Sequence, residues 1–293
     1  MCTLRKMTVK RRADRIPIYQ VDAFTDEQFK GNPAAVCLLQ NQYDDNTLQS
    51  IAAEMNLSET AFLYNTEEKP LKDSQFFYLR WFTPKTEVPL CGHATLATAT
   101  VLFYDIGISA IKVAFETKSG KLTARKDKNG ILLDFPSDEP TPISPNQDLL
   151  KAMGIAKFEN AQISKKARNL LIHMQNEEIL VNLKPDFQRM KSIPTNEDIK
   201  GVIVTSKGHP PYDFVSRYFA PWVGINEDPV TGAAHTVLGP YWSRIFGKEE
   251  MLAYQASSRG GKLIVRVRSK DRVDLIGSAV IFSKGELYLR ALY

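Results

Sequence analysis

The sequence predicts an α/β fold of the α+β kind, in which two homologous halves each curl a β-sheet around one central helix. Three observations predict it. A string recurs: Glu87-Val-Pro-Leu-Cys-Gly-His-Ala-Thr95 aligns with Glu227-Asp-Pro-Val-Thr-Gly-Ala-Ala-His235, sharing Glu, Pro, Gly and Ala at a constant spacing of 140 residues. Two further blocks repeat in the same order, Arg80-Trp-Phe-Thr-Pro84 with Arg217-Tyr-Phe-Ala-Pro221 and Gly120-Lys-Leu-x-x-Arg125 with Gly261-Lys-Leu-x-x-Arg266. Finally, the segment after each shared glycine is apolar on every side, as a buried helix is.

The elements follow in chain order. Thr47 to Met55 has apolar residues at helical spacing, and Ser58 to Tyr64 alternates as a strand with both faces apolar. Gln75 to Phe82 and Tyr212 to Phe219 are aromatic-rich runs that suit strands. His93 to Tyr104 carries no charge and Ala233 to Phe246 only Arg244, so these are the central helices. Pro240 removes a hydrogen bond inside the second and is expected to kink it or shift its boundary. Paired strands joined at Gly-Lys follow each helix, Val113–Glu116 with Leu122–Arg125 and Leu252–Gln255 with Leu263–Arg268. The domain plan expected is a basic disordered tail over 1–15, a first half over 16–136 completed by a last strand at about 286–293, and a second half over 137–285.

Composition excludes several classes. Hydrophobic residues at 43% and charged ones at 24% are globular values. No apolar run approaches the roughly 20 residues that span a bilayer, so no membrane role is expected. The net charge of +5 is concentrated in Arg5, Lys6, Lys10, Arg11, Arg12 and Arg15, which leaves the fold near neutral and without a nucleic-acid footprint. Three cysteines without CxxC spacing suit a reducing, cytoplasmic setting, and four histidines without HxH or HExxH give no metal motif.

Each shared glycine, Gly92 and Gly232, opens a buried helix whose first N–H groups lack partners and whose dipole is positive. Two halves facing each other would aim both helix starts at one carboxylate. The competing reading is that both glycines only permit tight turns. Residues that differ between the halves are candidates for chemistry: Asp228 against Val88, His93 against Ala233, Cys91 against Thr231. Glu59 is a further candidate, because a carboxyl on a strand apolar on both faces would have a raised pKa and could carry a proton near neutral pH. The alternative places it in water at the strand edge.

These residues lie in strings that resemble the PhzF family, the phenazine-biosynthesis-like proteins of the diaminopimelate epimerase superfamily. The strings are Val21-Asp-Ala-Phe24, Gly31-Asn-Pro-Ala-Ala-Val36, Asn56-Leu-Ser-Glu-Thr-Ala-Phe62, Arg80-Trp-Phe-Thr-Pro84, Pro89-Leu-Cys-Gly-His-Ala-Thr95, Ser216-Arg-Tyr-Phe-Ala-Pro221 and Glu227-Asp-Pro-Val-Thr-Gly232. The resemblance implies two pseudo-symmetric diaminopimelate epimerase-like domains with the site in the cleft between them, a homodimer, and neither cofactor nor metal. It implies an isomerase in which Glu59 moves a proton between carbons of a small carboxylate, with His93 and Asp228 orienting the substrate. Cys91, Gly92, Thr231, Gly232 and Ala233 would contact it, the carboxylate resting on backbone N–H groups around Gly92 and from Thr231 to Ala233. Two departures stand out: Ala233 replaces a common serine, and the second half has no cysteine to match Cys91, so inversion by two thiols is unavailable. Cys91 also reads as a small packing residue. The alternative function is a non-catalytic binding or regulatory protein on an inherited isomerase scaffold.

Overall fold

A computed structural model describes residues 14–194 and 199–289. The first half runs β1 (Asp14–Ala23), β2 (Asn32–Leu39), α1 (Asp45–Met55), β3 (Glu59–Asn65), β4 (Phe76–Phe82), β5 (Glu87–Val88), α2 (Gly92–Thr100), β6 (Lys112–Thr117), β7 (Gly120–Asp127) and β8 (Gly130–Pro136). The second runs β9 (Thr141–Pro142), α3 (Gln147–Met153), β10 (Asn160–Ser164), β11 (Asn169–His173), α4 (Glu177–Val181), α5 (Phe187–Ser192), β12 (Gly201–Lys207), β13 (Phe214–Phe219), α6 (Gly232–Phe246), β14 (Glu250–Gln255), β15 (Gly261–Ser269) and β16 (Arg272–Gly277), after which comes β17 (Ala279–Leu289).

The duplication appears in the hydrogen-bond ladder. The first half pairs β1–β2 antiparallel, β2–β3 parallel, β3–β4 antiparallel, β4–β6 parallel, then β6–β7 and β7–β8 antiparallel. The second repeats the same alternation through β10, β11, β12, β13, β14, β15 and β16. Antiparallel β8–β16 pairing fuses the two sheets. Beyond that junction β17 returns to pair with β1 from Asp14↔Leu289 to Ala23↔Ala279, and short β9 pairs with β10. The last strand thus begins earlier than the sequence suggested, and residues 290–293 lie outside the described residues. Asp14 and Arg15, expected in the tail, are the first residues of β1; residues 1–13 lie outside the described residues.

Helices α2 and α6 fill the two curls, and their apolar residues belong to one core that is continuous across both halves and includes Trp81, Phe115, Tyr241 and Trp242. α1 packs outside the first sheet over Phe62 and Phe82, and α3 to α5 outside the second over Phe219. α2 ends its regular turns at Thr100 and continues as a wider π turn over Val101–Asp105.

Pro240 does not shift the boundary of α6, which runs through it. The residue four positions earlier, Thr236, loses its usual donor, and its carbonyl instead accepts the Asp138 N–H at 3.1 Å. The chain linking the halves therefore satisfies the group that proline leaves open.

Candidate active site

The starts of α2 and α6 meet. A Cβ built on Gly92 would stand 3.2 Å from the Gly232 Cα, and one on Gly232 the same distance from the Gly92 Cα. Neither glycine has a left-handed φ. They are glycines because two backbones must approach across the interface, which corrects the tight-turn reading and supplies a reason that the sequence argument lacked. Among the described residues no side chain caps either helix, so both present first-turn N–H groups toward the same region.

Glu59 reaches this region from the start of β3. Asn56, in the left-handed conformation, closes α1 through its N–H to the Ala52 carbonyl, and the chain enters the strand three residues on. Alternation then sends Glu59 to the same side as Ala61 and Leu63, which belong to the central core, while Phe62 faces α1. The side chain keeps only 13% exposure, which excludes the strand-edge alternative. Burial, reinforced by the Asp228 charge and opposed by a hydrogen bond from Cys91, pushes its pKa up to about 8.

His93, in the first turn of α2, places Nε2 3.2 Å from Glu59 Oε2, off the line of a full hydrogen bond, and among the described residues Nε2 has no hydrogen-bond partner. Burial lowers its pKa to about 3, and it is a neutral imidazole. Asp228 approaches from the loop before α6. Its carboxylate accepts from Asn32 Nδ2 at 2.9 Å and from the Thr231 hydroxyl, its N–H donates to the Tyr218 carbonyl at 3.0 Å, and its own carbonyl accepts from Gln255 Nε2 at 2.7 Å. Burial outweighs these bonds and raises the Asp228 pKa to about 6. Cys91 lies beside both, with Sγ 3.5 Å from His93 Nδ1, and burial and the Glu59 charge hold its thiol well above the ordinary range.

One expected contact needs correction. The Thr231 N–H donates to Gln255 Oε1 at 2.9 Å and its hydroxyl to Asp228, so Thr231 braces the loop and offers no free donor to a carboxylate. Gly232 and Ala233 open α6 on the side facing Gly92.

Three residues were not foreseen as part of the site. Asn32, fully buried, bonds Asp228 and the Val230 carbonyl at 2.9 Å each and lies 3.3 Å from His93 Nδ1. The signal available was its place between Gly31 and Pro33, where a following proline restricts it to extended backbone. Sheet register supplies the other two. Thr60 pairs with Phe82 as Val202 pairs with Phe219, so Glu59 corresponds to Gly201. A Cβ there would lie 2.3 Å from the Tyr218 hydroxyl, which donates to Asn169 Oδ1 at 3.0 Å. A phenol therefore occupies the second half's counterpart of the glutamate position.

Glu59, Cys91 and His93 offer O, S and N atoms within 4.8 Å of one another, a set that could attract a metal ion. The contacts divide between the two ring nitrogens, however, Nε2 toward Glu59 and Nδ1 toward Cys91 and the Asn32 amide.

A family model described as phenazine biosynthesis-like protein matches residues 21–285. The chain belongs to that family. Among its relatives, the human phenazine biosynthesis-like domain-containing protein is 46% identical over 287 residues, covering 93% of this chain and 99% of the relative. A protein of Halalkalibacterium halodurans named an uncharacterized isomerase is 50% identical over 277 residues, covering 93% and 98%. Among solved structures, the PhzF family protein of Enterococcus faecalis superposes with a TM-score of 0.85 at 42% identity, over 94% of this chain and all of that one. A hydroxyproline epimerase from Agrobacterium vitis shares the fold, with a TM-score of 0.54 at 12% identity. The family assignment and the two-domain epimerase-like architecture agree with the resemblance read from the sequence. No helix among the described residues is long and apolar enough to cross a membrane.

Proposed function

We propose that this chain is a cofactor-independent isomerase that moves a proton between two carbons of a small carboxylate, with Glu59 as the acid/base. The observation that carries this reading is a carboxyl at the junction of two uncapped helix starts, raised by burial to about 8 and therefore able to exist in both protonation states near neutral pH. The helix starts at Gly92 and Gly232 hold the substrate carboxylate on backbone N–H groups. Glu59 as carboxylate takes a proton from an activated carbon; the C–H electron pair moves into the substrate's unsaturated system. The neutral carboxyl then gives the same proton to a second carbon, restoring both the carboxylate and the electron count. Proton transfer of this kind contributes about 10²–10⁴-fold, and orientation supplies further rate.

Two features support a one-sided reaction. The second half offers Gly201 and the Tyr218 phenol where the first has Glu59, and Thr231 where the first has Cys91. At the positions that match Glu59 and Cys91 the second half thus has neither carboxylate nor thiol, so the reading favours proton return to the face it left. His93, neutral and pressed against Glu59, and Asp228, held by Asn32 and Thr231, orient the substrate's polar groups.

The test is deuterium incorporation followed by NMR in D₂O, with a panel of β,γ-unsaturated and hydroxylated amino acids. The expected result is incorporation at carbon by the wild type and none by Glu59→Gln. Equal incorporation by both proteins would remove Glu59 from the role. Tight binding without exchange by either would favour the regulatory alternative.

A further inference from the structure

His93 is a neutral imidazole, so one ring nitrogen donates and the other accepts. Which one donates decides what Glu59 faces. The groups around Nδ1 are Asn32 Nδ2 at 3.3 Å and Cys91 Sγ at 3.5 Å. The Asn32 amide cannot be turned, because its nitrogen is 2.9 Å from both Asp228 Oδ1 and the Val230 carbonyl. Reversal would set its oxygen against those two acceptors. Among the described residues its Oδ1 has no partner, so the side chain is held by what its amide N–H groups donate. Two hydrogens serve three acceptors, and one is shared between them.

We propose that Asn32 is a positioning residue that fixes His93 in the Nε2–H tautomer, setting a ring N–H beside Glu59 and tying that choice to Asp228 across the two halves. The inference deepens the isomerase reading, since an N–H facing Glu59 would steady the carboxylate form of the proton carrier. It does not require that reading, because a tautomer is a property of the free protein. Asn32 belongs to β2 of the first half, while Asp228 and Val230 belong to the loop before α6 of the second. A separation of the halves would free the amide from Asp228 and Val230, while its approach to His93, which lies in the same half, would not depend on the second half.

The experiment is long-range ¹H–¹⁵N NMR of the full chain with ¹⁵N-labelled histidine, at neutral pH and without ligand. The chain has four histidines, and His93→Gln assigns the ring concerned. The expected wild-type pattern is a protonated Nε2 and an unprotonated Nδ1, unchanged in Cys91→Ala. In Asn32→Leu with Cys91→Ala, the preference should be lost and Nδ1–H should become populated. A wild-type ring protonated at Nδ1 would overturn the proposal. So would a change to Nδ1–H in Cys91→Ala alone, which would assign the role to the thiol, or an unaltered Nε2–H ring in the double variant. Should the double variant fail to fold, the wild type and Cys91→Ala still decide. Loss of exchange in Glu59→Gln together with an Nδ1–H ring would leave the isomerase standing and remove Asn32.

Discussion

Replacing Glu59 with glutamine should change how stability depends on pH. In the folded chain the Glu59 carboxyl keeps its proton to about pH 8, against 4.5 for the ordinary side chain, chiefly because burial penalises the charge. The folded state thus binds the proton more tightly than the unfolded state. The stability this contributes is fully present below pH 4.5 and is lost as pH rises toward 8. At about 1.4 kcal/mol per unit, the wild type should lose about 3–4 kcal/mol between pH 5 and 8 through this residue. Glutamine resembles the neutral carboxyl and does not titrate. Asp228 is also raised but is present in both proteins, so the difference between them isolates Glu59 together with its coupling to Asp228. Urea unfolding at pH 5, 6, 7 and 8 measures it. Glu59→Gln should gain steadily on the wild type as pH rises. A difference that stays constant across this range would refute the claim that the carboxyl is buried and protonatable near neutrality.

Three other outcomes are expected. Asp228→Asn removes a charge that raises Glu59, so the Glu59 pKa should fall from about 8 but stay above 4.5, since burial is the larger cause; ¹³C NMR of labelled glutamate carboxyls would show it. Gly92→Ala and Gly232→Ala each force a methyl to 3.2 Å from the opposing Cα and should cost about 1–3 kcal/mol in urea unfolding, with both variants affected alike. Arg217 donates to both Glu227 oxygens and to the Leu180, Val181 and Leu183 carbonyls, so Arg217→Met should cost about 3–5 kcal/mol, whereas Lys151→Met, which breaks an exposed pair with Asp148, should cost under about 1 kcal/mol.

Much of the fold was legible because duplication writes the same constraints twice. Arg80 and Arg217 align because each forms a two-oxygen ion pair with the aligned Glu87 or Glu227, anchoring the loop that leads into a central helix. Gly92 and Gly232 align because each is the other's close neighbour. The same comparison exposed Asp228, His93 and Cys91, and the structure brings all three together with Glu59. What escaped was long-range. That Asn32 bonds residues almost two hundred positions away, or that Gln255 takes the Thr231 N–H, leaves no local pattern. Tyr218 was visible as the partner of Trp81 in the repeat, but only sheet register equates Gly201 with Glu59 and shows why the phenol is there. The boundary shift expected at Pro240 did not occur for a related reason, since the donor that relieves Thr236 comes from Asp138, about a hundred residues earlier.

The central claim, that one glutamate carries a proton from carbon to carbon, is tested most directly by label transfer. A panel member that exchanges in D₂O would be prepared with deuterium at the donor carbon and turned over in H₂O. A buried carboxyl that holds a single proton predicts that part of the deuterium arrives at the acceptor carbon, and that Glu59→Gln abolishes both transfer and turnover. Turnover in Glu59→Gln at the wild-type rate, with all deuterium lost to solvent, would contradict the account.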